Sequence, residues 1–226
     1  MMFPWNDKEG FRHWLMDSFL NFKRSQLLSM INNPTDKNSL IVDIGCNIGY
    51  LTRPLSLRAE TVGLDVDRKM LSSTKFYNRD LAFICCDICH LPLKISSVDL
   101  AVCCSVFEHV EKLPEALEEI KLILKKRGRL AAGYPIETKL LEYVMRTLWR
   151  SQSHVWDQKN ILKHKDRLED PEAHKSSFVD IRKALKRNFS IVERWKMPNS
   201  HFPDPLSIYE NVLLITRIED RTKRTD

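Results

Sequence analysis

One passage limits what this 226-residue chain can fold into more than any other: Leu40-Ile41-Val42-Asp43-Ile44-Gly45-Cys46-Asn47-Ile48-Gly49. The apolar run at its start is rich in β-branched residues and reads as a strand buried on both faces. The run gives way to an acid and a glycine-rich turn, and a helix is expected to open near Gly49-Tyr50-Leu51. Glycine lets the backbone turn tightly and lets a ligand approach where a Cβ would stand. The helix start beyond it offers unpaired N–H groups and the positive end of a dipole. Such a turn suits a phosphate or a carboxylate.

The same rhythm continues downstream. Thr61–Asp65 reads as a second strand, and a helix follows over Asp67–Tyr77 with Asp67 as its N-cap. Leu81–Cys86 and Val98–Cys104 read as the third and fourth strands. Pro114 opens a helix running to about Lys125, with acids early and lysines late. Lys126-Arg127-Gly128 stops that helix, and Arg129–Tyr134 is the fifth strand. Strands alternating with helices in this way predict an α/β fold with a doubly wound, mostly parallel sheet. Upstream, Phe11–Met30 reads as an amphipathic helix with Phe11, Trp14, Leu15, Phe19 and Phe22 on its apolar stripe, ended by Asn32-Asn33-Pro34. Downstream, Thr138–Trp149 looks helical and Ser151–His174 is polar without a clear pattern. Ser177–Arg187 reads as a helix, and Phe189–Met197 and Ser207–Ile218 read as two last strands able to pair as a hairpin.

The length suits one domain. The expected division is a single domain over 1–218: an N-terminal helical cap (1–36), a core (37–135), a variable region (136–187) and the last two strands (188–218), then a flexible tail (219–226). With 43% hydrophobic and 29% charged residues, the composition is that of a soluble globular protein. The net charge of +6 suits an anionic partner, nucleic acid included, but the cations are interspersed with acids and no nucleic-acid-binding motif accompanies them. No apolar run is long enough to cross a bilayer, and the start of the chain has no apolar leader. Six cysteines, Cys46, Cys85, Cys86, Cys89, Cys103 and Cys104, lie mainly in apolar strand-like runs, as reduced and buried thiols do. Cys86 and Cys89 have C-x-x-C spacing but no second ligand pair, so no metal is expected. These features together predict a cytoplasmic protein.

A second acid carries the argument toward chemistry. Asp65 ends the second strand about 20 residues beyond the glycine turn, where a carboxylate can accept both hydroxyls of an adenosine ribose. Its plainer role would be a turn residue ahead of Asp67. Turn and acid together resemble the class I S-adenosylmethionine-dependent methyltransferases, in the type 11-like, small-molecule branch. Asp43, Gly45 and Gly49 match the family's first motif, Cys46 lies within it, and Asn47 stands where a middle glycine is usual. Asn tolerates positive φ better than other non-glycine residues, so the turn can survive the change. The resemblance assigns Asp65 and Val66 to the ribose end, and Asp87 with Ile88 to the adenine. It lays Cys104 and Ser105 along the methionine part of the cofactor. Ser97–Val102, the exit Cys104–Val110 and the turn Lys125–Leu130 also resemble the family pattern, with Arg129 in place of a second glycine. Likewise His174, Phe178, Ile181 and Leu185 resemble the stretch leading into its last strands.

The resemblance implies a seven-stranded, Rossmann-like methyltransferase. It would carry the methyl of S-adenosyl-L-methionine to a small-molecule or lipid-like acceptor, leaving S-adenosyl-L-homocysteine. A sulfonium methyl is already activated, so the protein mainly aligns a nucleophile with it and, where needed, takes the nucleophile's proton. His109 is the candidate base by position; its plainer role is to orient the following turn together with Glu108. Tyr134 is a candidate for the acceptor mouth. Trp14 reads equally as core or as a cover over the acceptor pocket; Tyr143, Met145, Leu148 and Trp149 read first as core and second as an acceptor wall or lid, and His154 and His174 first as structural histidines. Asp99, at a strand start, reads as structural. Three alternatives compete. An RNA methyltransferase fits the charge, yet Cys104-Ser105-Val106-Phe107 lacks the Asn/Asp-Pro-Pro-Tyr/Phe tetrad. A non-catalytic cofactor-binding partner subunit fits the absence of an obvious base. A nicotinamide-dependent dehydrogenase shares the turn and the ribose acid but leaves Asp87 and the last strand pair unexplained.

Overall fold

A computed structural model describes residues 21–31, 38–136, 175–197, 207 and 209–216. Seven strands form one sheet: β1 (Leu40–Ile44), β2 (Glu60–Asp65), β3 (Ala82–Cys85), β4 (Val98–Cys104), β5 (Leu124–Pro135), β6 (Phe189–Met197) and β7 (Tyr209–Thr216). Their order is β3-β2-β1-β4-β5-β7-β6. The first five are parallel, and β7 runs antiparallel between β5 and β6. The order reverses between β1 and β4. In open α/β sheets, the crevice outside the strand ends at such a reversal is where ligands bind.

Helices cover both faces. One face carries α1 (residues 21–30) and α2 (Thr52–Ser56). There Leu27, Ile31 and Leu55 pack on Ile41, Leu100 and Val102. The other carries α4 (Leu113–Ile123) and α5 (Phe178–Asn188), where Leu117, Ile120 and Leu185 meet Val42, Ala101 and Leu130. Between β2 and β3 lies α3 (Arg68–Tyr77), whose N-cap Asp67 accepts hydrogen bonds from the Lys69 and Met70 amides, as its sequence predicts.

The elements depart from the sequence expectations at several points. The helix after the glycine turn has only five residues and begins at Thr52. The Pro114 helix stops at Ile123, and β5 begins at once with Leu124. Leu124 pairs with Val98 and Arg129 with Leu100, so the Lys125–Gly128 segment bulges where a single residue, Asp99, stands opposite. Asp99 anchors that irregularity: its carboxylate accepts both the Lys125 ammonium, at 2.8 and 2.9 Å, and the Leu40 amide, at 2.9 Å. On α1, Phe22 is 45% exposed while Lys23 is 8% exposed, so the buried stripe of the described part runs Lys23, Leu27, Met30.

Tyr134 does not reach a mouth. It is fully buried, and its hydroxyl donates to Glu210 of β7. Glu210 is itself fully buried and also takes Arg182 of α5 at 3.0 Å and Arg194 of β6 at 3.1 Å. This ion cluster joins β5, β6, β7 and α5. Trp14, Tyr143, Met145, Leu148, Trp149, His154 and His174 lie outside the described residues, as does the tail. No described helix is long and apolar enough to cross a membrane.

Leu117 is fully buried, whereas Leu57 is 81% exposed. Urea denaturation should find Leu117→Ala destabilised by about 2–5 kcal/mol and Leu57→Ala within about 0.5 kcal/mol of the parent.

Candidate functional site

The glycine turn is held from beneath and from one side. Gly45 and Cys46 both donate their amides to the Leu64 carbonyl, at 2.8 and 2.9 Å. Gly45, Asn47 and Gly49 adopt φ of 70°, 49° and 79°, so asparagine takes the left-handed conformation that its position demands. Asp65 completes the turn: one carboxylate oxygen accepts the Asn47 amide at 2.8 Å, the other the Asp67 amide at 3.0 Å. A carboxylate has about four acceptor positions. Asp65 can therefore hold the turn and still take hydroxyls of a ligand. Its neighbour Val66 is 73% exposed beside it.

Asp43 acts lower down. It is buried, and the Thr52 hydroxyl donates to it at 2.6 Å, fixing the start of α2 beneath the turn. Burial pushes its pKa up to about 7, against the Thr52 hydrogen bonds that lower it, and the nearby charge of Asp65 adds to the rise. Cys46 is buried against the same turn, and burial pushes its thiol up too.

The exit of β3 is tied to that of β2, since Cys86 donates its amide to the Asp65 carbonyl at 3.0 Å. Asp87 follows, exposed, with one carboxylate oxygen accepting the Cys89 amide at 2.9 Å and half-buried Ile88 beside it. Cys85 is exposed at the end of this outer strand, contrary to the expectation of buried thiols. Burial raises the Cys86 thiol to about 11, so it stays protonated at neutral pH. Among the described residues no group of three or more His, Cys, Asp or Glu could hold a metal.

The exit of β4 closes the crevice from the other side. A Cβ on Gly45 would lie 2.2 Å from Cγ2 of Val106, so only glycine lets the two loops meet. Ser105 adopts φ of 57° and donates its amide to the Gly133 carbonyl at 2.8 Å. Its hydroxyl accepts the Lys23 ammonium at 2.8 Å and shares a hydrogen bond of 2.9 Å with the Tyr209 hydroxyl. Cys104 lies 3.4 Å from that same hydroxyl. Beyond it, Phe107–His109 forms a single 3-10 turn, pinned by fully buried Phe107. The carbonyl of Glu108 accepts the Lys175 and Ser176 amides, at 2.6 and 3.2 Å. His109, half-buried, ends this turn four residues past Ser105, with its Nδ1 buried.

The fold thus brings the glycine turn, Asp65, Asp87 and the Cys104–Ser105 exit onto the carboxyl edge of four adjacent strands. A left-handed turn, an acid beside it with acceptor capacity to spare and exposed apolar side chains at Ile48 and Val66 fit an adenosine-containing cofactor. Lys23 and Tyr209 were not among the candidates read from the sequence. The available signal was a lysine at a helical position whose i+4 and i+7 neighbours, Leu27 and Met30, are apolar.

Residues 42–132 match the methyltransferase domain family. An uncharacterized protein of Methanocaldococcus jannaschii is 39% identical over 106 residues, covering 47% of this chain and 44% of that protein. The ubiquinone biosynthesis O-methyltransferase of Pelagibacter ubique is 24% identical over 182 residues, covering 72% of this chain and 71% of that enzyme. The chain spans less than half the length of the first curated relatives it matches. In fold it resembles a solved S-adenosylmethionine-dependent methyltransferase of Methanosarcina mazei, with a TM-score of 0.62 and 17% identity over 84% of this chain and 98% of that one.

The raised pKa of Asp43 has a sign. A carboxyl whose pKa rises from 3.8 to about 7 on folding stabilises the fold below the lower value and loses that contribution as pH climbs through the higher. Thermal melts of the parent between pH 4 and 8 should therefore carry a loss that Asp43→Asn, which keeps an acceptor for Thr52, does not show. Equal pH slopes in the two proteins would contradict it.

Proposed function

We propose that this chain, whose residues 42–132 match the methyltransferase domain family, is a class I S-adenosylmethionine-dependent methyltransferase that transfers a methyl group to a small-molecule or lipid-like acceptor. The observation that carries the reading is the joint geometry of the turn and Asp65. The glycine turn bonds to the end of β2, and Asp65 reaches back to its Asn47 amide. Bound S-adenosylmethionine would supply an activated methyl on a sulfonium. Asp65, with Val66 alongside, binds the ribose hydroxyls. Asp87 and Ile88 hold the adenine. Gly45, Cys46, Asn47 and Gly49 leave the turn low enough for the cofactor to lie across it, and Asp43 keeps that turn in shape through Thr52. Cys104 and Ser105 line the methionine part. His109 takes the acceptor's proton as the new bond forms.

The acceptor class draws support from the relatives. One is named a ubiquinone biosynthesis O-methyltransferase, and another, of Methylovorus, a malonyl-[acyl-carrier protein] O-methyltransferase. Reduced thiols and the lack of a described membrane-spanning helix support a cytoplasmic setting.

Calorimetry with S-adenosylmethionine and S-adenosylhomocysteine tests this. Both should bind the parent, and Asp65→Ala should weaken both by about 10- to 100-fold, the range for lost hydrogen bonds to a charged group. Folded parent that binds neither refutes the reading. Once an acceptor is found by screening, His109→Gln should leave cofactor affinity intact and lower turnover by about 10²- to 10⁴-fold. Unchanged turnover would remove His109 from the mechanism.

A further inference from the structure

α5 starts beside the exit of β4 and ends at the opposite edge of the sheet. Its start is fixed there: the Lys175 and Ser176 amides donate to the Glu108 carbonyl, and the Ser176 hydroxyl donates to the Val110 carbonyl at 3.0 Å. Its last residue, Asn188, runs directly into β6, which is parallel to β5 and so begins at the far edge. Ile181 and Leu185 are buried on the inner side of the helix. Val179, Lys183, Lys186 and Arg187 stand on one outward face by their helical spacing, and all four are exposed. Together with Arg182 they line an open groove along the helix.

The charge of this face is one-sided. α4, packed beside α5, mixes its signs: Lys112 pairs with Glu115 at 3.5 Å and Lys121 with Glu118 at 3.2 Å. α5 carries a single acid, Asp180, in its first turn, where it accepts the hydroxyl of the N-cap Ser177 at 2.6 Å. Every charged residue after it is a cation. Arg182 turns inward to Glu210 at 3.0 Å. Glu118 comes near the end of α5 through Lys121, which also donates to Asn188 at 3.3 Å and already neutralises that acid. The helix dipole accounts for Lys186 and Arg187 in the last turn. It does not account for Lys183, nor for Val179, which is 56% exposed at the head of the groove.

Such a face suits an extended anion. Single-stranded nucleic acid is held by stacking its bases on aromatic side chains, and the outward face of α5 offers none: Phe178 is half-buried, with the Arg182 guanidinium 5.3 Å from its ring centroid. Long cationic stems with a valine among them suit a lipid headgroup layer instead. There the cations meet phosphates, and a small apolar side chain meets the carbons beneath. Val192, on the edge strand that follows, is likewise 60% exposed.

We propose that the outward face of α5 docks this protein on an anionic bilayer, with lipid phosphates seated at Lys183, Lys186 and Arg187. At 1.5 Å per residue, Lys183 lies about 10 Å along the helix from Ser176 and the exit of β4. A docked protein therefore holds its crevice close to the headgroup layer. The inference goes beyond the methyltransferase reading. Its test needs neither cofactor nor acceptor, so either can fail alone.

Co-sedimentation of the full chain with vesicles tests it, using phosphatidylcholine alone and equal parts of phosphatidylcholine and phosphatidylglycerol. The parent should bind the mixed vesicles and not the neutral ones, and added salt should release it. A cation at an anionic surface is worth about fivefold in partitioning, so Lys183→Gln with Arg187→Gln should weaken binding by about 10- to 100-fold. Lys183→Arg with Arg187→Lys keeps the charge and should keep the binding. Arg68→Gln with Lys69→Gln removes two exposed cations from α3, beside the opposite sheet edge, and should change binding little. Circular dichroism establishes that each variant is folded. A parent indifferent to phosphatidylglycerol, or equal losses in the α5 and α3 variants, overturns the docking face. A parent that binds a short RNA duplex but not the mixed vesicles also overturns it, and gives the face to nucleic acid.

Discussion

Two amides converge on one carbonyl at the centre of this molecule: Gly45 and Cys46 both donate to Leu64 at the end of β2. Neighbouring parallel strands would otherwise part at their ends. This pair keeps the exit of β1 folded over the exit of β2. Asp65, one residue past Leu64, can then reach the Asn47 amide, and the turn's own hydrogen bonds hold its left-handed residues. Thr52 is in turn set beneath the turn, where it meets Asp43. On the far side, Gly45 admits Val106 and so fixes the approach of β4. Preorganisation of this kind lowers the ordering cost of binding.

Much of this was legible in the sequence because parallel strands buried on both faces leave continuous apolar runs. Val98–Cys104 was read at its observed bounds for that reason. Asp67 and Ser177 cap their helices in keeping with local rules that involve only neighbours. Features set by distant partners were not legible. The bulge at Lys125–Gly128 depends on Asp99, which faces it from β4. Tyr134 looked like a mouth residue from its place at a strand end, but its face of β5 is covered by Glu210 and two arginines from later in the chain.

The candidate site divides the same way. The acids and glycines follow directly from strand ends, so their positions could be counted. Lys23 could not be found by counting, because its partners Ser105 and Tyr209 lie 82 and 186 positions further on. The helical wheel put Phe22 inside. Rotation by one residue, about 100°, buries Lys23 and exposes Phe22, and tertiary hydrogen bonds decide between the two.

The late arrival of β7 bears on how the protein is made. Synthesis delivers β1 to β5 first, so a growing chain carries β5 as an unpaired sheet edge with an apolar stretch, Leu130–Gly133, along it. Such edges invite pairing with other chains. The strand that covers it also brings Glu210, whose two arginine partners, Arg182 and Arg194, precede it in the chain. On the ribosome, then, the cations wait for their anion. The step that seals the sheet against aggregation is the same step that delivers Tyr209 to Ser105 and completes the crevice.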